Sequence, residues 1–85
     1  MRENMRTVIR SAKTLGSSLR GARRAADLTQ SDLGLKTGLR QATISNLENG
    51  EGGTLESLFK VLTALKLEMR LETRSTSQPD LDEIF

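Results

Sequence analysis

The segment Leu28-Thr29-Gln30-Ser31-Asp32-Leu33-Gly34-Leu35-Lys36-Thr37-Gly38-Leu39-Arg40-Gln41-Ala42-Thr43-Ile44-Ser45-Asn46-Leu47-Glu48-Asn49-Gly50 packs two helix starts and two helix stops into one short stretch. Such dense punctuation leaves room only for two short helices joined by a tight turn. Thr29 can cap a helix through its hydroxyl, and Asp32, three positions on, is the reciprocal acceptor and a favourable charge at the N-terminal dipole. That helix is expected to start near Gln30. Gly38 supplies the left-handed residue that ends it, and Leu39-Arg40 makes the step into the next. The connection is short enough to hold the two helices at a steep angle. From Gln41 to Glu48, Ile44 and Leu47 share one face, while Ala42, Ser45, Asn46 and Asn49 share the opposite one. Asn49-Gly50 then stops the helix as a turn dipeptide. A helix this short, with a small and polar outer face, suits the groove of a nucleic acid, which is the pattern of a helix-turn-helix.

The flanking residues build a core around this motif. Thr7-Val8-Ile9 is a short β-prone stretch, and Ser11 or Thr14 can cap a first helix that ends near Ala26, with Leu15, Leu19 and Ala22 facing inward. Gly16 and Gly21 are each expected to weaken that helix by roughly 1 kcal/mol relative to alanine, so it depends on packing. After the Gly50-Glu51-Gly52-Gly53 loop, Thr54 caps a final helix whose expected buried stripe is Leu55, Leu58, Phe59, Leu62 and Leu65. The expectation is a mainly α fold, a compact four-helix domain. With 85 residues, 35% hydrophobic and 2% aromatic, the core is modest and mostly leucine, and a partner subunit would add to its stability.

At Leu67 the period changes from helical to alternating, with Leu67, Met69, Leu71 and Thr73 on one side and Glu68, Arg70 and Glu72 on the other. This reads as a strand over residues 67–73. A lone strand leaves backbone donors and acceptors unpaired, so it needs a second one. Thr7-Val8-Ile9 is one candidate and the same strand of a second copy is the other. The second copy is preferred, because two-fold DNA readers are dimers and pairing would bury Leu67, Met69 and Leu71 together, and both pairings can hold at once in a four-stranded sheet. The expected organisation is an N-terminal arm at 1–10, the helical domain at 11–66, the dimerisation strand at 67–73 and an acidic tail at 74–85. That tail reads either as a frayed terminus or as a docking peptide with Leu81, Ile84 and Phe85 as anchors.

Charge is distributed unevenly. Residues 1–40 carry nine Lys or Arg against three acids, while residues 41–85 carry four against eight. Between Asn4 and Ala26 no acid interrupts Arg6, Arg10, Lys13, Arg20, Arg23 and Arg24, which reads as a phosphate-facing footprint or as an ordinary solvated basic face. A transit peptide is also Arg-rich and acid-poor, but Leu15, Leu19 and Ala22 fit a helix continuous with the domain. The chain has no Cys and no His. It therefore lacks disulfides, thiolate metal sites and the commonest general base, and no phosphate-binding glycine loop is present. The expectation is no enzyme, no catalytic residue, no metal and no cofactor. No apolar run approaches the roughly 18 residues of a membrane helix, so a cytoplasmic bacterial protein without a membrane partner is expected.

Three fragments carry a resemblance: Leu-Thr-Gln-x-x-Leu from Leu28, Thr-Gly-Leu-Arg-Gln-Ala-Thr-Ile-Ser-Asn-Leu-Glu-Asn-Gly from Thr37, and Thr-Leu-Glu-Ser-Leu-Phe-Lys-Val-Leu-Thr-Ala-Leu from Thr54. Together, over roughly Leu15 to Lys66, they resemble the phage-repressor-like (Cro/C1, Xre) helix-turn-helix family. Arg40 to Asn46, the Leu-x-Met-x-Leu segment after the last helix, and a tail ending in an aromatic resemble the HipB-like antitoxins of that family. The resemblance implies a lambda-repressor-like domain that dimerises partly through a shared β-sheet, binds an inverted-repeat operator in double-stranded DNA, and holds a HipA-like kinase toxin.

It also implies roles by position. Gln41 matches the position that reads a base edge, where a Gln amide pairs with adenine N6 and N7. Ala42 matches a site for a thymine methyl, Arg40 reaches a guanine or a phosphate, and Ser45 and Asn46 line the same face. Gln30 matches a phosphate clamp at a helix N-terminus, with Thr29, Arg20, Thr43 and Asn49 as further phosphate contacts. Arg23 and Glu48 match a salt bridge that ties the first helix to the recognition helix. This sequence departs from the family at Gly34, where alanine is more usual, at Lys66, where glycine commonly ends the last helix, and at Phe85, where a tryptophan is associated with the best-known member. Two further readings remain open: a free-standing dimeric repressor without a toxin, and an interaction adaptor that does not bind DNA.

Overall fold

A computed structural model describes residues 6–74. Four helices follow in order: α1 (Ala12–Ala25), α2 (Gln30–Thr37), α3 (Gln41–Glu48) and α4 (Leu55–Ala64). Each start has a local chemical cause. Ser11 caps α1 by accepting from the Thr14 backbone N–H at 3.0 Å, and Thr54 caps α4 by accepting from Ser57 N at 3.0 Å. Thr29 and Asp32 form a full capping box on α2, the hydroxyl accepting from Asp32 N and the carboxylate from Thr29 N, both at 2.9 Å. The bond from the Thr29 backbone N–H, with the Thr29 hydroxyl beside it, holds the Asp32 carboxyl below its ordinary range.

Three helices end in one motif, in which two backbone N–H groups beyond the cap fold back on the last carbonyls. After α4, Lys66 N donates to Thr63 O and Leu67 N to Leu62 O. After α1, Asp27 N donates to Arg24 O and Leu28 N to Arg23 O, and after α3, Gly50 N donates to Leu47 O and Glu51 N to Asn46 O. The residue at the centre must be left-handed, and Asp27 (φ 62), Gly50 (φ 72) and Lys66 (φ 60) all are. α2 ends instead on Gly38 (φ 77), whose N–H donates to Gly34 O, and the chain turns directly into α3.

α3 packs on α1 and α2, and α2 packs on α4. The core between them is Leu19, Leu33, Ile44, Leu58, Val61 and Leu62, with Leu15, Leu28, Leu39, Leu47, Leu65 and Leu67 half-buried around it. The helix-four stripe differs from the expected one. Leu55 and Phe59 are 71% and 50% exposed, and Val61 is buried in their place. The inward arc of α4 is Leu58, Val61, Leu62 and Leu65, and Leu55 and Phe59 lie beyond its edge.

Among the described residues, neither the expected strand at 67–73 nor Thr7-Val8-Ile9 forms a strand. Leu67 folds onto the core, but Met69 and Leu71 are 47% and 94% exposed. A strand exists only through the ladder it makes with another, and neither segment meets a partner among the described residues. The expected tail, with Leu81, Ile84 and Phe85, lies outside the described residues. Among the described residues, no helix is long and apolar enough to cross a membrane.

Candidate nucleic-acid interface

The site begins with a buried ion pair. Arg23 on α1 and Glu48 at the end of α3 are 7% and 6% exposed. Arg23 Nε donates to Glu48 Oε2 at 2.6 Å and Nη2 to Oε1 at 3.0 Å, a bidentate contact across the two helices. Arg23 Nη1 donates to Leu28 O at 2.8 Å, which fixes the chain just before α2. Burial pushes the Glu48 carboxyl up, but hydrogen bonds from Arg23 and Gln30 and the charges of Arg23 and Arg20 outweigh it and hold the group below its ordinary range. The bond from Glu48 raises the Arg23 guanidinium further above its own ordinary value. Among the described residues no buried side-chain polar atom lacks a partner.

A line of hydrogen bonds leads outward from this pair. Gln30, half-buried in the first turn of α2, donates from Nε2 to Glu48 Oε1 at 3.1 Å. Gln41, exposed in the first turn of α3, donates from Nε2 to Gln30 Oε1 at 3.3 Å, and Ser31 Oγ donates to Gln41 Oε1 at 3.3 Å. The starts of both motif helices are thereby joined to one buried charge pair. Two helix N-termini also present positive dipole ends on this side.

The remaining candidates surround that line. Arg40, the N-cap of α3, is exposed and its side chain makes no capping bond. Ala42 and Asn46 are exposed and Thr43 and Ser45 half-buried, and exposed Asn49 donates from Nδ2 to Ser45 Oγ at 3.4 Å. Thr29 is exposed with its hydroxyl engaged in the capping box. Arg20 stands apart from the Gln41 end. With Lys13, Ser17, Glu48, Asn49 and Glu51 it lines a shallow polar hollow of about 290 Å³ between α1 and the end of α3.

Two features of this interface were not legible in the sequence. Ser31 carries no spacing signal that distinguishes it from any other polar residue in a first helical turn. Gly16 reads locally as a helix weakener, yet it is buried, and a Cβ there would collide with the carbonyl oxygens of Leu47 and Glu48. Its position on the same face as Leu19 and Arg23 was the available sign of a close backbone approach.

Comparisons with known proteins agree with this geometry. A family model described as helix-turn-helix matches residues 19–71. Antitoxin HipB of Escherichia coli strain K12 is 38% identical over 76 residues, which covers 88% of this chain and 86% of that protein. Among solved structures, the HipA-HipB-O2-O3 complex contains a chain 38% identical to this one with a TM-score of 0.75, covering 81% of this chain and 99% of the other. The HipB-O4 20mer complex gives the same identity, TM-score and coverage.

Proposed function

The chain belongs to the helix-turn-helix family and is HipB-like within it, and from that premise we propose that it is an operator-binding antitoxin. In this reading a homodimer binds an inverted repeat in double-stranded DNA, represses its own toxin–antitoxin operon, and holds a HipA-like kinase toxin. Each subunit inserts α3 into a major groove, the two grooves lying about 34 Å apart on one face of the duplex. Arg40, Gln41, Ala42, Ser45 and Asn46 meet base edges, and Gln30, Thr29, Arg20, Thr43 and Asn49 meet phosphates. Leu67, Met69 and Leu71 pair with their counterparts in the second subunit. The anchors assigned to the toxin are Leu81, Ile84 and Phe85.

One observation carries the reading: an exposed glutamine at the start of α3 is braced through Gln30 against a buried ion pair. Such bracing holds a side chain in one place before any ligand arrives, as base reading requires. The relatives solved as complexes with HipA and with a 20mer support the two kinds of partner. Purification of the tagged protein from its own cells, followed by footprinting on its upstream region, tests both halves. Co-purification of a kinase-like chain and protection of an inverted repeat are expected. A protein that comes alone and protects nothing there is not this antitoxin. Gln41→Ala is expected to cost about 1–3 kcal/mol at one symmetric base position.

A further inference from the structure

We propose that Glu48 and Ser31 are positioning residues for base reading: Glu48 fixes the way round that Gln41 presents its side-chain amide to the groove, and Ser31 holds the amide in that place. The inference rests on the reading of α3 as the recognition helix. A glutamine amide can rotate by half a turn and exchange its donor and acceptor ends with little change of shape. Here the hydrogen-bond line removes that freedom. A carboxylate only accepts, so Glu48 Oε1 can face only the NH2 of Gln30, at 3.1 Å. With that end committed, Gln30 turns its carbonyl toward Gln41, and a carbonyl can be met only by the Gln41 NH2, at 3.3 Å. The Gln41 carbonyl is left on the far side, where the Ser31 hydroxyl donates to it at 3.3 Å.

Reversing Gln41 alone would set its carbonyl against that of Gln30. Reversing both would set the Gln30 carbonyl against the Glu48 carboxylate. One acceptor-only group therefore selects the polarity of every amide beyond it. Glu48 cannot turn away, because Arg23 grips both its oxygens, at 2.6 and 3.0 Å. Gln41 keeps one N–H on the Gln30 side and one lone pair on the Ser31 side. Adenine presents its N7 acceptor and N6 donor in a fixed order along the major groove, and that order inverts between A·T and T·A. The polarity set at Glu48 thus determines which orientation of the base pair Gln41 accepts.

The test uses the full chain and duplexes bearing its preferred site, selected from a random-sequence pool. The base pair whose preference is lost in Gln41→Ala marks the position Gln41 reads. Wild type, Ser31→Ala, Ser31→Thr, Gln30→Met and the Ser31→Ala, Gln41→Ala double variant are then titrated on all four versions of that pair, each after a circular-dichroism check. Ser31→Ala is expected to lower the preference between the two orientations about five-fold, the effect of one neutral hydrogen bond, and to leave other positions within about two-fold. Ser31→Thr restores it, because the hydroxyl returns. Gln30→Met weakens all four duplexes and also erases the orientation preference. The double variant loses no more than Gln41→Ala alone. The proposal is overturned if Ser31→Ala weakens all four duplexes alike, or if its loss adds to that of Gln41→Ala, since Ser31 then contacts DNA independently. If Gln41→Ala leaves every position unchanged, the recognition-helix reading itself fails along with it.

Discussion

A buried carboxylate is costly unless its lone pairs are used, and Glu48 uses both oxygens on Arg23 and one again on Gln30. Removing it would leave the Arg23 guanidinium buried without its counter-charge. Glu48→Ala is therefore expected to destabilise the domain by about 3–5 kcal/mol, a large part of the roughly 4–13 kcal/mol expected for a chain of this size. Urea denaturation measures the loss, and a change below about 1 kcal/mol would show that the pair contributes little. The same group sets the acid limit. Because the folded Glu48 carboxyl lies below its ordinary range, its contribution is fully present above the unfolded value of about 4.3 and is lost as pH falls through the folded value. Asp32, held down by Thr29, acts in the same direction at the surface. The chain has no histidine, so side-chain titration gives no reason for stability to change between about pH 6 and 8. Denaturation midpoints across pH should stay level there and fall below about pH 5, with a shallower fall in Glu48→Gln, whose lower baseline reflects the unpaired Arg23.

At the scale of the helices, the ends are where this sequence departs from its least strained form. A non-glycine residue in the left-handed region costs roughly 1 kcal/mol, and both Lys66 and Asp27 sit there to close their helices. Lys66→Gly keeps the backbone bonds to Thr63 and Leu62 while relieving that cost, partly offset by the freer unfolded chain. A gain of about 0.5–1 kcal/mol in chemical denaturation is expected, and a loss would mean that the Lys66 side chain stabilises the end in some other way. Gly16 is the opposite case. Gly16→Ala should raise local helix propensity by about 1 kcal/mol yet lower stability by about 1–3 kcal/mol, because the added methyl forces α1 away from the end of α3. These two positions also mark how far the fold can be read from sequence. Caps at Thr29, Asp32 and Thr54 and the stop at Gly38 were legible because each depends on residues within one turn of itself. The close approach at Gly16 was not legible, since it depends on carbonyls more than thirty residues away. Helical period marks a face but not how wide a neighbour will cover it, so it assigns Phe59 to the buried stripe although the ring is half exposed. The bonds among Gln30, Ser31, Gln41 and Glu48 were invisible for a related reason: polar residues show no periodic signature of meeting.

For the whole molecule the open term is the second subunit. Val8, Ile9, Met69 and Leu71 leave apolar surface bare near both ends of the described chain, and the alternation over 67–73 has no ladder among the described residues. Pairing of two such segments would satisfy those backbone groups and cover Met69 and Leu71 at once. It would also set the separation of the two α3 helices, and so connect this segment to the spacing of operator half-sites. Met69→Asp with Leu71→Asp tests this, because both side chains are exposed in the single chain and the helical core has no reason to fail. Opposed acids across a two-fold axis repel, so sedimentation should find a monomer with unchanged helix content. Operator binding then separates the effects by salt. In the proposed dimer, Arg20 and Arg40 of each subunit would bring four cations to the duplex, and a slope of log K against log salt of about −3.6 is expected if each neutralises one phosphate charge. The monomer should bind more weakly with a slope of about −1.8, because it releases half as many counterions. A variant that stays dimeric with an undiminished slope would place the subunit contact elsewhere, and the bare α4 edge at Leu55 and Phe59 would be the next surface to substitute.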